Sequence, residues 1–160
     1  MTTIAYRDGI LAADDRMDYH YAVVTKLFKL PDDSWVGGAG TGSGVRMAVD
    51  LLSNAIVSTT TPDKLLSKPI EDIQLLRVYP DGSLSMYFPQ LVEIPLANSF
   101  FAIGSGSDYA MGAMSAGASA EQAIRVAGQY DKGTGDRVQV EYVRKEDKAF
   151  PVPHPDGIIW

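Results

Sequence analysis

The residues that could do chemistry begin at Thr2, which follows Met1. If Met1 is removed, Thr2 carries a hydroxyl and a free α-amine on one residue. A threonine hydroxyl is a poor nucleophile at neutral pH and needs a base beside it. A free α-amine, whose ordinary pKa is about 7.7–8.0, can take that proton directly or through water. The stretch therefore predicts acyl transfer at the amino terminus, with an edge strand that keeps Met1 as the alternative.

Two charged residues could tune such a centre. Lys26 lies within an apolar run, residues 22–30, and Asp14 follows the β-prone run 10–13. A lysine cation near the α-amine lowers the pKa of that amine, and an aspartate keeps a semi-buried lysine charged. The alternative is a solvated lysine on the outer face of a strand, because alternate strand residues point outward.

A glycine-rich turn, residues 37–44, leads directly into a helical pattern. Such a turn exposes backbone N–H groups at a helix amino terminus, where they can meet an anion or an oxyanion. It lacks the Gly-Lys-Ser/Thr of a phosphate loop, and Ser43 stands where a dinucleotide fingerprint has its third glycine. Because the sequence has no nucleotide-binding motif, any ATP dependence has to come from another protein.

The elements that must position these residues start with a hairpin. Residues 3–6 and 10–13 are β-prone and flank Asp8-Gly9, a strong hairpin signal. A hairpin lays its two ends side by side, so the amino terminus should lie beside Asp14.

The rest of the chain alternates hairpins with separate helices. This order predicts an α+β fold with antiparallel sheets and helices on the outer faces. Ser119 and Gln122 form a capping box that opens the last helix, which runs to about Tyr130. The other predictions are strands at 22–30, 34–40, 73–79, 83–88, 91–94, 100–103 and 138–144, helices at 45–56 and 108–116, and one helical turn at 63–67.

The composition sets limits on the function. The chain has 160 residues, 46% of them hydrophobic and 21% charged, which is typical of one globular domain. A net charge of −6 argues against nucleic-acid partners and anionic membranes. The absence of cysteine excludes disulfides and a thiol nucleophile, and two histidines do not favour a histidine-rich metal site. No signal-peptide or membrane-spanning pattern is present, so we expect a cytoplasmic protein.

The motifs also occur in a familiar order. The opening Thr2-Thr3-Ile4-Ala5, the cluster Ala-Asp-Asp-Arg at residues 13–16 and the run FAIGSGSDYA at residues 101–110 carry the closest matches. From Thr2 to about Val143 the sequence resembles the proteasome β-subunit family, in particular its small bacterial relatives of the HslV type. These are amino-terminal-nucleophile (Ntn) hydrolases. The resemblance implies an αββα four-layer sandwich over residues 1–144, followed by an irregular C-terminal tail at residues 145–160.

The resemblance also implies roles for single residues. Thr2 matches the nucleophile, Lys26 the active-site lysine, and Asp14 the aspartate that pairs with this lysine. Gly40 matches the glycine whose N–H stabilises the oxyanion. The remaining matches are Ser105 near the α-amine, and Asp131 with Thr134 as the pair that orients the amino terminus, with threonine in place of the family's serine.

The implied activity is that of a threonine-type endopeptidase. Its substrates would be peptides or unfolded proteins, and its subunits would form a homo-oligomeric ring served by a separate ATPase unfoldase. No cofactor is required, although relatives of the HslV type can hold a cation on backbone carbonyls. Gly128, Asp131 and Thr134 would be the positions for such a Na+ or Mg2+ ion.

Three points about the function are left open by the resemblance. The second long helix of the family is reduced to about residues 63–67, which weakens inferences about ring geometry and ATPase docking. The walls of the specificity pocket would come from Tyr19, His20, Tyr21 and Thr41. A catalytically silent scaffold subunit that keeps Met1, or a small-molecule amidase with the same acyl chemistry, would share the fold.

Overall fold

The computed structural model of the chain describes residues 1–17 and 22–143. The predictions for Tyr19, His20 and Tyr21 and for the tail at residues 145–160 lie outside these ranges. The division into a domain at residues 1–144 and a tail therefore stays a prediction.

The described residues form nine strands and four helices. The amino-terminal half contains β1 (Thr3–Arg7), β2 (Ile10–Asp14), β3 (Leu27–Lys29), β4 (Trp35–Gly40), α1 (Gly42–Val57) and α2 (Pro62–Leu65). The other half contains β5 (Ile73–Val78), β6 (Leu84–Tyr87), β7 (Ile94–Leu96), β8 (Phe100–Gly104), α3 (Ser107–Ser115), α4 (Ala120–Tyr130) and β9 (Val138–Tyr142).

The first hairpin forms as predicted. Asp8 and Gly9 have φ angles of 50° and 82°, the left-handed pair of a two-residue turn whose twist matches that of the strands. The register pairs Ile4 with Ala13. The amino terminus consequently lies beside Asp14, at the end of β2.

Two of the predicted strands differ from the structure. The strand predicted at residues 22–30 is ordered as β3 only from Leu27, so Lys26 lies just before it. The strand predicted at residues 91–94 begins only at Ile94, because Leu91 has a φ of 55° and donates its N–H to the Phe88 carbonyl in a tight turn. In both places a local turn or side-chain contact replaces the strand ladder.

The strands form two antiparallel sheets, one ordered β8-β1-β2-β9 and the other β3-β4-β5-β6-β7. One apolar cluster joins the sheets, a second joins the five-stranded sheet to α1, and a third joins the four-stranded sheet to α3 and α4. Burial of these clusters drives the packing, since apolar area removed from water is the main favourable term in folding. Fully buried members include Ile4, Leu11 and Leu76 in the first cluster, Leu52 and Leu75 in the second, and Ala123 and Ile124 in the third.

Helix α4 begins at the predicted capping box. The Ser119 hydroxyl accepts from the Gln122 N–H at 3.2 Å, and the Gln122 side chain accepts from the Ser119 N–H at 2.8 Å. Its small buried residues face β1 and β2, which lets the helix lie close to the sheet. Within residues 1–17 and 22–143, no helix has the length and apolarity needed to cross a membrane.

Candidate active site

Asp14 is the centre of the site and has no exposed surface. One carboxylate oxygen accepts from the Thr3 N–H at 2.8 Å, and the other accepts from the Gly135 N–H at 3.0 Å and from Lys26 Nζ at 2.9 Å. A buried carboxylate needs such donors, because an unpaired charge is costly away from water. The hairpin register and the loop before β9 together supply them.

Lys26 is 6% exposed and forms a buried ion pair with Asp14. The alternative of a solvated lysine is therefore wrong. Lys26 Nζ also lies 3.4 Å from the carbonyl oxygen of Met1, the residue bonded to the Thr2 nitrogen. The ammonium consequently lies beside the Met1–Thr2 peptide bond, whose cleavage would expose the Thr2 amine.

Thr2 is buried and its carbonyl is held by the turn after β8. The carbonyl oxygen of Thr2 accepts from the Ser105 N–H at 2.8 Å. Gly104 makes this approach possible, because its φ is 95° and an added Cβ would lie 1.9 Å from that oxygen. Ser105 Oγ lies 3.4 Å from the same oxygen, but it has one proton and donates it to Asp131 Oδ2 at 2.6 Å.

Two hydroxyl groups and one carboxylate, those of Thr3, Thr134 and Asp131, form a chain of hydrogen bonds close to the amino terminus. Thr134 Oγ1 donates to Asp131 Oδ2 at 2.6 Å and lies 2.6 Å from Thr3 Oγ1. Because a carboxylate only accepts, the Thr134 proton is committed to Asp131 and Thr3 donates to Thr134. The Gly106 N–H then donates to Thr3 Oγ1 at 3.1 Å. The chain joins β1, α3 and the loop that follows α4.

The pKa of Asp131 lies below its ordinary value. Partial burial acts to raise this pKa, but hydrogen bonds from Ser105, Thr134 and the Gly133 N–H outweigh it, helped by the positive charge of the N-terminal amine. Each of these groups stabilises the ionised carboxylate. Asp131 is thereby kept as an acceptor close to the amino terminus.

Gly40 ends β4 with a φ of 120°, and an added Cβ would lie 1.9 Å from the carbonyl oxygen of Asp72. Only glycine fits this conformation and this close approach. Gly40 lines the same cavity as Thr2 and Lys26. Its predicted role as the donor to an oxyanion stays a prediction.

The cavity has a volume of about 1090 Å³ and opens on the amino terminus. Its lining includes Thr2, Lys26, Gly40 and Ser105, and also Thr41, which was predicted as a pocket wall. Much of the remaining wall is apolar, as is usual for sites that take a small molecule or a side chain. Val24, Phe28, Val45 and Ile73 contribute to this apolar wall.

The three positions predicted to hold a cation lie close together. Asp131 and Thr134 belong to one loop, and a Cβ added at Gly128 would lie 3.1 Å from the Gly135 carbonyl oxygen in that loop. Among the described residues, no group of three acidic, histidine or cysteine side chains could hold a metal. A Na+ or Mg2+ ion on backbone carbonyls at this loop therefore stays a prediction.

Sequence reasoning missed several contacts of the site. Thr3 lies directly opposite Asp14, and the hairpin register could have identified it. Arg16 donates its side chain to the Lys132 carbonyl, and Gly135 supplies a backbone donor, but neither residue has a chemical signature in the sequence.

The two antiparallel sheets and the four helices of the described residues form a mixed α+β fold similar to that of HslV and of a bacterial proteasome-like protein. The resemblance seen in the sequence is confirmed at the level of the fold. HslV from Trypanosoma brucei is 19% identical, with a TM-score of 0.69 over 88% of this chain and 97% of that chain.

Two structures of Thiobacillus denitrificans BPH, a bacterial proteasome-like protein, are also similar. The form in complex with epoxomicin is 20% identical, with a TM-score of 0.62 over 88% of this chain and 96% of that chain. The other is 19% identical, with a TM-score of 0.61 over 90% of this chain and 98% of that chain. No family model and no curated protein matches the sequence.

Proposed function

We propose that this chain is a threonine-type endopeptidase subunit in which Thr2, freed by removal of Met1, is the nucleophile. The observation that carries the proposal is the position of Lys26. Its ammonium is held by the buried Asp14 at 2.9 Å and lies 3.4 Å from the carbonyl oxygen next to the Thr2 nitrogen. A cation at this place favours the neutral form of a free Thr2 amine, which can then act as a base.

The reaction follows from these groups. Thr2 Oγ1 attacks a peptide carbonyl carbon, and its proton passes to the Thr2 amine directly or through water. The Gly40 N–H donates to the developing oxyanion, an interaction whose loss typically costs about a hundred- to a thousandfold in turnover. The C–N bond then breaks, the leaving amine takes the proton, and an acyl ester remains on Thr2. Water, activated by the same amine, hydrolyses this ester and restores the hydroxyl.

The assembly belongs to the same proposal. The packing of helices and sheets supports an αββα four-layer sandwich over residues 1–144. Copies of the chain would form a homo-oligomeric ring in the cytoplasm, with peptides or unfolded proteins as substrates. Because the chain has no nucleotide motif, a separate ATPase would unfold folded substrates, and α2 of four residues predicts a docking surface unlike that of relatives with a long second helix.

A second candidate is a catalytically silent scaffold subunit that keeps Met1. The observation that favours it is the contact between Met1 and Gly133, where an added Cβ would lie 2.2 Å from Met1 Cβ. The loop thus accommodates a retained methionine. In that form the Thr2 nitrogen is an amide and cannot act as a base.

Intact mass spectrometry of the purified protein separates the two candidates, and we expect a mass without Met1. The Met1-free protein should cleave fluorogenic peptides and be labelled on Thr2 by epoxomicin, and Thr2→Ala should abolish both. A fully retained Met1 would contradict the peptidase proposal. Cleavage that survives in Thr2→Ala would place the nucleophile elsewhere.

Lys26→Ala tests the residue that carries the proposal. Loss of the cation beside the amine should lower kcat by about a hundredfold or more, since positioned acid–base groups contribute on this scale. Lys29→Ala is the matched control, because Lys29 is exposed and pairs only with the exposed Asp33 among the ion pairs of the described residues. Equal kcat values for the two variants would exclude a catalytic role for Lys26.

A further inference from the structure

Lys26 lies in a short segment, residues 24–26, that precedes β3 and is not itself a strand. On one side the segment is attached to β4, because the Gly38 N–H donates to the Lys26 carbonyl at 3.1 Å. The direction of the Lys26 side chain depends on this backbone. The other contacts of the segment therefore contribute to where the ammonium lies.

Next to Lys26 the other contact comes from the Gln139 side chain on β9, while at the start of the segment the Val24 N–H donates to the Asp15 carbonyl at 2.9 Å. Gln139 Oε1 accepts from the Lys26 N–H at 3.1 Å, and Gln139 Nε2 donates to the Val24 carbonyl. The two bonds require opposite ends of the amide, so they also determine its orientation. The carbonyl of one residue and the N–H of the residue two positions later are the groups that a parallel neighbouring strand would use. The Gln139 amide thus takes the place of a strand backbone beside the segment.

The same strand pair also holds the partner of the lysine. In the β2–β9 ladder Gln139 pairs with Ala13, and the next pair joins Asp14 to Val138. Asp14 and the residue that binds the Lys26 backbone, Gln139, consequently occupy adjacent pairs of the same ladder. Gln139 thus links the Lys26 backbone to the strand pair that carries Asp14.

We propose that Gln139 is a positioning residue that, through the backbone of residues 24–26, aims Lys26 at Asp14 and at the Thr2 amine. The proposal rests on the proposed peptidase function, because it concerns the lysine of that site. Gln139 acts on the geometry of attack and not on substrate binding. Its loss should therefore lower kcat and leave KM nearly unchanged.

The test uses Gln139→Met, which keeps the length of the side chain and removes both amide bonds. In Met1-free protein we expect kcat for a fluorogenic peptide to fall by roughly ten- to a hundredfold, with KM within about twofold of wild type. Gln129→Met is the matched control, because Gln129 is exposed on α4 and the same chemical change is made there. It should leave both constants unchanged.

Amide hydrogen exchange gives a readout that does not depend on activity. In Gln139→Met the Lys26 amide should exchange roughly fivefold faster, because it loses its acceptor, while the Ala12 amide in β2 keeps its wild-type rate. An unchanged Lys26 amide rate overturns the inference. So does a wild-type kcat in Gln139→Met when Lys26→Ala has lost activity.

The two proposals fail in different ways. A wild-type protein that lacks peptidase activity, or a Thr2→Ala variant that keeps it, contradicts the peptidase proposal. In either case the proposed positioning role of Gln139 in catalysis also fails, even if hydrogen exchange at the Lys26 amide shows that Gln139 holds the segment. A fully active wild type with an insensitive Gln139→Met contradicts only the positioning role.

Discussion

A carboxylate without exposed surface must find donors inside the protein, and Asp14 receives four of them. Three are backbone N–H groups, of Thr3, Arg16 and Gly135, and the fourth is the Lys26 ammonium. Breaking a buried ion pair by removing one partner typically costs about 3–5 kcal/mol, because the other charge is left uncompensated. The position of Lys26 is thus coupled to the stability of the fold.

The lowered pKa of Asp131 predicts how the stability of the protein depends on pH. This pKa is lowered in the folded protein, so the contribution of Asp131 to stability is present above the unfolded-state pKa of about 3.9 and is lost as the pH falls through the folded value. Urea unfolding should show wild type more stable than Asp131→Asn near neutral pH. The difference in the free energy of unfolding should be constant down to about pH 5 and shrink below about pH 4.

Ser105→Ala provides the control for this prediction. It removes one of the hydroxyl donors to Asp131 and should reduce the pH-dependent part of the stability without abolishing it. A difference between wild type and Asp131→Asn that stays the same from pH 7 to about pH 3 would contradict the lowered pKa.

At the scale of elements, the site is assembled from the ends of strands and helices. The turn after β8 holds the Thr2 carbonyl, the end of β4 provides Gly40, and the loop after α4 provides Asp131 and Thr134. Each element is stabilised by packing along the rest of its length. The residues at its end can therefore adopt the geometry that the site requires. The capping box at the start of α4 is an example, since it lies at the opposite end of the helix from Asp131.

The turn after β8 can be tested by one substitution made at two places. Gly104→Ala introduces a Cβ at a φ of 95° and 1.9 Å from the Thr2 carbonyl oxygen, so it should destabilise the protein by more than about 1 kcal/mol. Gly112→Ala in α3 has no atom within 4 Å of the new Cβ and should stabilise it by about 0.4–1 kcal/mol. Urea unfolding measures both. Effects of the same sign would contradict this account of the turn.

At the scale of the whole molecule, the proposed function requires that access to Thr2 be restricted. A peptidase that unfolds nothing by itself can be kept from cleaving its surroundings if its nucleophile faces an enclosed chamber. The cavity beside Thr2 has about 1090 Å³, enough for side chains of an extended peptide but not for a folded domain. Under the proposed function, assembly of several copies of the chain would supply this restriction.

Size-exclusion chromatography with light scattering tests this assembly. We expect a closed oligomer whose mass is a multiple of the chain mass, which is 17.3 kDa with Met1. Closed symmetry is expected because most homo-oligomers form closed point groups. Peptidase activity should decline when dilution dissociates the oligomer. A monomer with full activity at all concentrations would contradict compartmentalised proteolysis.

Local features of the fold were predictable from the sequence. The Asp8-Gly9 turn, the apolar spacing of α1 and the Ser119 capping box depend on residues within a few positions of each other, so pattern alone determines them. The strand predicted over residues 22–30 was wrong at its start. There the Lys26 N–H donates to the Gln139 side chain, 113 residues away, and no local pattern indicates this contact.

The sequence alone therefore determined which residues could react, through their types and their order along the chain. The burial of Lys26 against Asp14, the hydrogen bond from Thr3 to Thr134 and the room that Gly104 leaves for the Thr2 carbonyl became visible in the folded chain alone. These contacts join parts of the chain that lie far apart in sequence. The pairing of strands and the packing of the sheets and helices bring these residues together. The propensities of single residues do not indicate which distant segments pair.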